Sequence, residues 1–334
     1  MKLVKVGILG TGNIARSHAG NLARINNVEI AALCDIDMFK IQSFMSSIPG
    51  CTAKCFTEFG AMLDECDLDA LYVCLPPFAH CGQVEEAAKK GIHIFIEKPI
   101  ALTLERGANM VKHVKEAGVK SHVGFHMRFG SAVKRLKSLI ESGDAGLPTL
   151  FDGRYECNAL HSPWWRRRDK SGGQVFEQVI HVYDLAQNFL GIADTVTGFT
   201  GNLCHSDISD YTVEDTSVAS IRFRSGALAS VSGSNCAVPK HWNIFMTVVF
   251  KNLTAYFSNP NKAEFIFTGG EAPKSELFEE DCDSRFEESQ AFISALRGMD
   301  QPLCTIEEGF RSLVLVDGVV RSAAEGGKPV RLEY

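Results

Sequence analysis

The sequence predicts an α/β protein in which a doubly wound parallel sheet is followed by an α+β domain with an open, mostly antiparallel sheet. In the first third of the chain, short apolar runs alternate with amphipathic helical stretches, as expected of a parallel sheet with crossover helices. After about Gly124 the pattern changes to period-two runs separated by Gly, Asn or Ser turns. We therefore divide the 334 residues into domains 1–123 and 124–334.

Elements of the first domain follow one another in a regular order. Runs rich in Val, Ile and Leu predict buried parallel strands at Val4–Leu9, Val28–Leu33, Ala70–Leu75, Ile92–Ile96 and Val119–Phe125. Apolar residues at helical spacing predict the connecting helices at Asn13–Arg24, Met38–Ser46, Phe59–Glu65, Ala79–Lys90 and Leu104–Glu116. Right-handed crossovers are expected between neighbouring strands.

Alternation of apolar and polar residues marks the second domain. It predicts strands at Thr149–Glu156, Thr216–Arg224, Ala227–Ser234, Asn243–Phe250 and Thr254–Phe257. Long helices are predicted at Gln174–Leu190 and Glu307–Glu325, and the acidic, turn-rich stretch Gly269–Asp283 is predicted to be a surface loop. A broad sheet with Ala, Ser and Val on alternate positions favours self-association of the chain.

Composition excludes several classes of function. The net charge of −6 argues against nucleic acid or an anionic membrane as partner. No apolar stretch approaches the ~20 residues of a membrane span, and the chain enters its first strand without a signal-peptide pattern. The 11 cysteines form no Cys-x-x-Cys pair, so we expect no metal site and reduced thiols in a cytoplasmic protein.

A glycine-rich turn between the first strand and the first helix is typical of dinucleotide binding. Its glycines allow a tight turn and a close approach of backbone amides to a pyrophosphate. Asp35, at the end of the second strand, suits a ribose 2′-hydroxyl and repels a 2′-phosphate, which favours NAD while leaving NADP possible. The cofactor-binding residues predicted here are Gly10, Thr11, Gly12, Asn13, Ile14 and Asp35.

Two further strand ends carry polar or rigid residues. Glu97-Lys98-Pro99 closes the strand at Ile92–Ile96, where ligands bind to an open parallel sheet. Lysine is costly to bury, so Lys98 is interpreted as a functional residue. Leu75-Pro76-Pro77 and His80 follow the preceding strand and are predicted to contact the cofactor, together with Glu97 and Lys98.

A stripe of ionisable residues is predicted on the helix that starts after Gly172-Gly173. Glu177, His181 and Asp184 fall on one helical face, and His181 has a suitable pKa for proton transfer near neutral pH. An alternative role for Asp184 is structural: its carboxylate fixes the tautomer of His181 or holds a neighbouring loop in place. Upstream, Tyr155, Trp165 and Arg166 suit recognition of a polyol, through aromatic faces and guanidinium donors.

These motifs occur in an order that resembles the glucose–fructose oxidoreductase / inositol dehydrogenase / rhizopine catabolism (Gfo/Idh/MocA) family over nearly the full length. The resemblance implies a Rossmann domain joined to a substrate-binding and oligomerisation domain, and oxidation or reduction of a secondary alcohol of a sugar, inositol or related polyol. It implies Lys98 and His181 as catalytic residues, with Glu177 where family members often carry aspartate, and Arg128 as a substrate contact. The motifs that match are the glycine loop, Pro76-Pro77, Glu97-Lys98-Pro99, Gly124-Phe125 with Arg128-Phe129, Gly172-Gly173 and His181 with Asp184.

We therefore expect NAD-dependent hydride transfer in which His181 takes the hydroxyl proton, Lys98 hydrogen-bonds the same oxygen and Glu177 orients the imidazole or binds a neighbouring hydroxyl. Three alternatives remain open at this point. They are a non-catalytic regulator that binds dinucleotide and sugar, an NAD-assisted glycosidase, and a reductase acting on a keto-sugar or an imine.

Overall fold

The computed structural model describes residues 2–301 and 304–334 and divides the chain into two compact units. The first comprises Met1–Ala101, Glu105–His126 and Asp283–Phe310, and the second comprises Leu102–Leu104, Met127–Cys282 and Arg311–Tyr334. The chain thus returns to the first unit near its end. The predicted boundary between residues 123 and 124 divides the sequence into two continuous domains, and it stays a prediction.

The first unit contains a parallel sheet in the order β3-β2-β1-β4-β5-β6. Its strands are β1 Val4–Leu9, β2 Val28–Cys34, β3 Lys54–Phe56, β4 Ala70–Val73, β5 His93–Ile96 and β6 Ser121–Val123. The sequence order reverses between β1 and β4, which are paired, and ligands of open α/β sheets bind at the carboxyl ends of strands at such a point. The predicted Rossmann sheet is confirmed, with the short edge strand β3 as an addition.

Ten α-helices lie in residues 2–301 and 304–334. They are α1 Asn13–Ala23, α2 Met38–Ser46, α3 Phe59–Glu65, α4 Gln83–Lys89, α5 Leu104–Ala117, α6 Ser131–Glu141, α7 Arg168–Ser171, α8 Ile180–Leu190, α9 Ser284–Leu296 and α10 Ile306–Ala324. None of those described is both long and apolar enough to cross a membrane.

The second unit contains a mixed sheet in the order β14-β13-β12-β11-β7-β10-β9-β8-β15. Only β7 and β10 are parallel among these pairs, so the mostly antiparallel sheet that the sequence predicts is confirmed. The strands are β7 Pro148–Cys157, β8 Ala193–Gly201, β9 Thr216–Phe223, β10 Leu228–Ser234, β11 Trp242–Phe250, β12 Leu253–Asn259, β13 Lys262–Phe267, β14 Lys274–Glu279 and β15 Val330–Arg331.

Three local predictions are wrong. The stretch Gly269–Asp283 is not all loop, because β14 pairs with β13 and remains polar as an edge strand of the sheet. The helix predicted from Ala79 begins only at Gln83, after a 3₁₀ turn at Pro77–Ala79. The helix predicted at Gln174–Leu190 starts with a π-helical turn, Val175–Val179, before α8.

Helix α9 has no counterpart in the sequence-based prediction, although it contributes to the core of the first unit. Its Phe292 and Ile293 are fully buried in the same cluster as Tyr72 of β4 and Phe95 of β5. Asp283 caps the helix, since its carboxylate accepts a hydrogen bond from the Phe286 amide. The first unit is therefore completed by a segment from near the end of the chain.

Candidate active site

The glycine loop after β1 has the backbone that dinucleotide binding requires. Gly10 adopts φ +87°, and a Cβ there would lie 2.8 Å from the carbonyl oxygen of Cys74, so only glycine fits between β1 and β4. Its amide donates to the Cys34 carbonyl at 2.8 Å. At Gly12, the residue before α1, a Cβ would point into open space, so the helix amino terminus is accessible to a phosphate.

Asp35 is tied directly to this loop. One oxygen of its carboxylate accepts hydrogen bonds from the Thr11 amide at 2.8 Å and the Thr11 hydroxyl at 3.0 Å. The other accepts from the Asp37 amide at 3.2 Å. Asp37 in turn caps α2, since its carboxylate accepts hydrogen bonds from the Phe39 and Lys40 amides. The carboxylate is thus held in place at the strand end, and its contact with a ribose hydroxyl stays a prediction.

His80 is anchored by backbone rather than exposed on a helix. Its Nδ1 lies 2.7 Å from the Ile100 carbonyl oxygen and its Nε2 lies 3.3 Å from that of Leu75. Burial lowers the pKa of the imidazole, outweighing the two carbonyl contacts. His80 therefore joins the Leu75-Pro76-Pro77 segment to the chain that follows the Lys98-Pro99 peptide, which is cis. A cofactor contact of His80 stays a prediction.

Glu97, beside Lys98, is a buried acid with a specific partner. His18 of α1 is fully buried and its Nε2 lies 2.7 Å from Glu97 Oε1. A Cβ at Gly124 would come within 2.9 Å of the same carboxylate, so glycine makes room for it. Burial raises the pKa of Glu97, but the His18 hydrogen bond and the nearby positive charge, including Lys98, leave it below its usual value. Glu97 thus anchors the strand end that presents Lys98, which is half-buried.

Glu177 and His181 lie on the segment formed by the π turn and α8. Gly173 enters it with φ +109°, and a Cβ there would meet the Glu214 carboxylate at 2.5 Å. That carboxylate accepts a hydrogen bond from the Val175 amide at 2.8 Å and so satisfies the start of the segment. His181 is buried and Glu177 is half-buried. π turns are rare and often occur at functional sites.

Of the residues predicted to bind substrate upstream of the helix, Trp165 contacts Glu177. Its side chain is buried, and its indole Nε1 donates to Glu177 Oε2 at 2.5 Å. Arg166 instead supports its own loop, donating from Nε to the Leu160 carbonyl at 2.9 Å and pairing with Asp210 at 3.2 Å. Tyr155 is half-buried on β7. Substrate contacts of these three residues stay predictions.

Asp184 is bound by arginine. Arg128 donates from Nε and from its second terminal nitrogen to the two carboxylate oxygens, each at 2.7 Å, and the Ser312 hydroxyl adds a bond of 2.9 Å. Both ionic side chains are less than a tenth exposed. The alternative role of Asp184 as partner of a neighbouring loop is therefore supported, and Arg128 has a structural contact besides its predicted substrate role.

The candidate residues form one set in each unit. The glycine loop, Asp35, the Leu75–His80 segment and Glu97-Lys98 lie in the first unit, while Arg128, Tyr155, Trp165, Arg166, Glu177 and His181 lie in the second. Sequence reasoning missed His18 and Glu214, which position these sets. The adjacent acids Glu214-Asp215 before a strand were an available signal, whereas a histidine inside an amphipathic helix gives none.

Family models match both parts of the chain. Residues 4–125 match a model described as an oxidoreductase family with an NAD-binding Rossmann fold. Residues 133–256 match the Gfo/Idh/MocA C-terminal domain. The two models agree in family and cover the glycine loop, Lys98 and His181.

Relatives match over the whole length. The chain is 28% identical to an uncharacterized oxidoreductase, YrbE, of Bacillus subtilis (strain 168), covering 100% of this chain and 98% of the relative. It is 26% identical to myo-inositol 2-dehydrogenase of Thermotoga maritima, covering 99% of each. A levoglucosan dehydrogenase in complex with NADH and L-sorbose superposes with a TM-score of 0.92 at 19% identity, covering 100% of each chain, which shows the shared fold.

Proposed function

Because the chain belongs to the Gfo/Idh/MocA oxidoreductase family, we propose that it transfers a hydride between NAD and a secondary alcohol of a sugar, inositol or related polyol. The inositol dehydrogenase among its relatives supports this substrate class. The observation that carries the proposal is the loop after β1, where Gly10, Gly12 and the Thr11–Asp35 contact form a dinucleotide site at the point where the strand order reverses.

NAD is the preferred cofactor in this proposal. When bound, NAD supplies the hydride chemistry at its nicotinamide ring. Asp35 accepts a hydrogen bond from the ribose 2′-hydroxyl and repels a 2′-phosphate, because its carboxylate is held in place by Thr11. The Asp35→Ser variant should gain activity with NADP relative to NAD, measured as the ratio of kcat/KM values. Equal use of both cofactors by the unchanged enzyme would contradict this role.

Lys98 and His181 have separate tasks. Lys98 donates a hydrogen bond to the reacting oxygen and stabilises its developing negative charge. His181 takes the hydroxyl proton during oxidation and returns it during reduction. Glu177, whose carboxylate is fixed by Trp165, orients the imidazole or binds a neighbouring hydroxyl. Glu97 positions Lys98 through the strand end that it anchors to His18.

The decisive experiment measures NAD- and NADP-linked activity over a panel of inositols, aldoses and sugar acids, first with the unchanged enzyme. On the best substrate, Lys98→Met and His181→Ala should each lower kcat by about 10²–10⁴-fold while NAD binding by calorimetry persists. The exposed residues Lys89 and His241 provide the controls Lys89→Met and His241→Ala, which should keep full activity.

Near-normal kcat in His181→Ala would refute the acid/base role. Release of a free sugar without net NADH would instead indicate the glycosidase alternative. Absence of turnover on every compound, with NAD and sugar both binding, would favour the regulator.

We also propose that the second unit forms a homodimer or homotetramer through the outer face of its sheet. On this face Val218 of β9 is 51% exposed and Leu228 of β10 is 54% exposed. Leu228 lies opposite Leu150 of β7, which is 44% exposed, so apolar side chains adjoin across strands. Light scattering should report an oligomer, and Leu228→Glu should dissociate it. A monomeric unchanged protein would contradict this assembly.

A further inference from the structure

Four side chains with metal-binding atoms meet in the second unit, away from the residues discussed above. Cys204 and His205 lie between β8 and β9, Asp215 directly precedes β9, and Cys236 follows β10. The two sulfur atoms and a carboxylate oxygen of Asp215 all lie within 4.8 Å of one another. The Nδ1 atom of His205 lies 3.3 Å from Asp215 Oδ2 and 3.9 Å from Cys236 Sγ.

One ion could draw these atoms into a tetrahedral set with small shifts of the side chains. Zinc–ligand bonds measure about 2.0–2.3 Å, so neighbouring ligand atoms lie about 3.3–3.8 Å apart. Of the two contacts made by His205 Nδ1, the one to Asp215 Oδ2 at 3.3 Å lies in this range and the one to Cys236 Sγ at 3.9 Å lies just above it. Two sulfurs, an imidazole nitrogen and a carboxylate oxygen are also a donor set that suits zinc, since thiolate and imidazole ligands together select it over magnesium or calcium.

The backbone around the cluster is organised by Asp215. Its fully buried carboxylate accepts hydrogen bonds from the amides of Cys204 at 2.7 Å and His205 at 3.1 Å, which turns both side chains toward Cys236. The His205 ring stacks on Tyr211 with centroids 4.7 Å apart. Cys204 is exposed, so an ion has a route into the site from solvent.

We propose that Cys204, His205, Asp215 and Cys236 bind one zinc ion that stabilises the connection between β8 and β9. With four protein ligands the site is closed and structural rather than catalytic. Its effect reaches the candidate active site, because Tyr211 packs in one apolar cluster with Trp165, the partner of Glu177. The sequence predicts no metal site. Cys204 precedes β9 and Cys236 follows β10, so the two cysteines are too far apart in the sequence to form a recognisable metal-binding motif.

A disulfide between Cys204 and Cys236 is the competing account of the same proximity. A disulfide would use both thiols and would require an oxidant. It would also leave unexplained why His205 Nδ1 lies close to both Cys236 and Asp215. The metal site uses all four groups, so the geometry favours it. The two accounts differ in composition and are separated by one experiment.

The experiment uses the full chain, reduced, treated with a chelator and then titrated with Zn²⁺ alone against a chromophoric competitor. We expect one zinc per chain. Co²⁺ in place of zinc should give visible ligand-field bands of tetrahedral geometry and a thiolate-to-cobalt charge-transfer band. Cys204→Ser, Cys236→Ser and His205→Phe, which keeps a ring against Tyr211, should each lose stoichiometric zinc binding, whereas Cys81→Ser at an exposed cysteine outside the cluster should keep it.

Measurements on the unchanged protein can overturn the proposal. Failure of the reduced protein to take up one zinc per chain, or cobalt spectra without the charge-transfer band, would refute it. So would a peptide map that shows a Cys204–Cys236 disulfide together with failure of the reduced protein to take up zinc. Failure of a variant to fold, judged by circular dichroism, leaves these measurements on the unchanged protein decisive.

Discussion

Two buried carboxylates, one in each unit, have different partners. In the second unit, Asp184 binds the guanidinium of Arg128 through two parallel hydrogen bonds and also accepts one from Ser312. In the first unit, Glu97 is paired with a single imidazole nitrogen of His18. Both acids are almost entirely shielded from solvent. Their partners therefore decide how each responds to its surroundings.

The difference separates a bidentate ion pair from a pair joined by one hydrogen bond. A guanidinium stays charged at all accessible pH values, and its bidentate geometry suits an acid that must stay in place. The His18–Glu97 contact is a single hydrogen bond through one imidazole nitrogen. It adjoins Lys98, whose predicted task is chemical, whereas Asp184 lies on α8, one turn beyond His181. Stability can thus be perturbed separately in the two units.

The largest effect is expected from Arg128→Met. It leaves the Asp184 carboxylate buried without a counter-charge, and breaking such a pair costs about 3–5 kcal/mol. The free energy of unfolding, measured by urea denaturation at neutral pH, should fall by this amount. The matched control is Arg135→Met, since Arg135 forms a half-exposed pair with Glu276 and should cost at most about 1 kcal/mol. Equal losses in the two variants would show that burial of the Asp184 pair has no special weight.

The next effect concerns His18→Leu in the first unit. Loss of the hydrogen bond to the buried Glu97 carboxylate should cost about 1.5–3 kcal/mol near neutral pH. His18→Gln, which retains an N–H donor, should recover part of that loss. If glutamine destabilises as much as leucine, packing of the ring against Tyr72 and Phe95, rather than the hydrogen bond, is the main contribution.

The same variant has a characteristic pH dependence. The pKa of Glu97 lies below its usual value, so its contribution to stability is present above about pH 4.3 and is lost as the pH falls through the lowered pKa. In the His18→Leu variant the hydrogen bond that lowers the pKa of Glu97 is lost, so burial raises that pKa. The stability of the variant should therefore fall as the pH rises from about 4.3. The deficit relative to the unchanged protein should be larger at about pH 7 than at about pH 4. A deficit independent of pH would contradict the ionic role of the pair.

Gly124→Ala tests the space around Glu97 without removing either partner. The added Cβ would lie 2.9 Å from the carboxylate, and displacing a packed group typically costs about 1–3 kcal/mol. Gly20→Ala is the control, because a Cβ at this position of α1 meets nothing within 4 Å and alanine favours the helix. Thermal unfolding of both variants should show a lower midpoint only for Gly124→Ala.

The smallest effect is expected from Ser312→Ala. It removes one neutral donor from Asp184, and Arg128 continues to compensate the charge, so the loss should be about 0.5–1.5 kcal/mol. Combined with Arg128→Met, the serine should matter more, since it is then a remaining donor to an uncompensated acid. Strict additivity in this double-mutant cycle would show that the two donors act independently.

How far the sequence predicts the molecule depends on how local each feature is. The Rossmann strands, the loop at Gly10–Gly12 and the cap at Asp37 follow from apolar runs, glycine conformation and side-chain chemistry within a few residues. The family resemblance is confirmed, as are the fold class and NAD as cofactor. The roles of Lys98, His181 and the substrate residues stay predictions, because they depend on the substrate.

Features that join distant segments escaped prediction. Helix α9 packs on strands that precede it by some two hundred residues, and no local pattern assigns it to that unit. His18 and Glu97 are a pair only because α1 crosses over the sheet. Edge strand β14 escapes prediction because polar residues predominate on both of its faces, each of which carries one apolar residue, Leu277 or Phe278, and apolar alternation marks only strands with one buried face.

The π turn at Val175–Val179 has a consequence for comparing this chain with its relatives. Such a turn accommodates one residue more than a regular helix of the same height. A deletion there would restore the regular helix and rotate everything before it by about 100° relative to His181. In an alignment, a gap shifted by a single position would therefore pair Glu177 with the wrong residue of a relative. Whether the acid four residues before the histidine is equivalent between two homologues has to be judged from superposed backbones, not from matching letters.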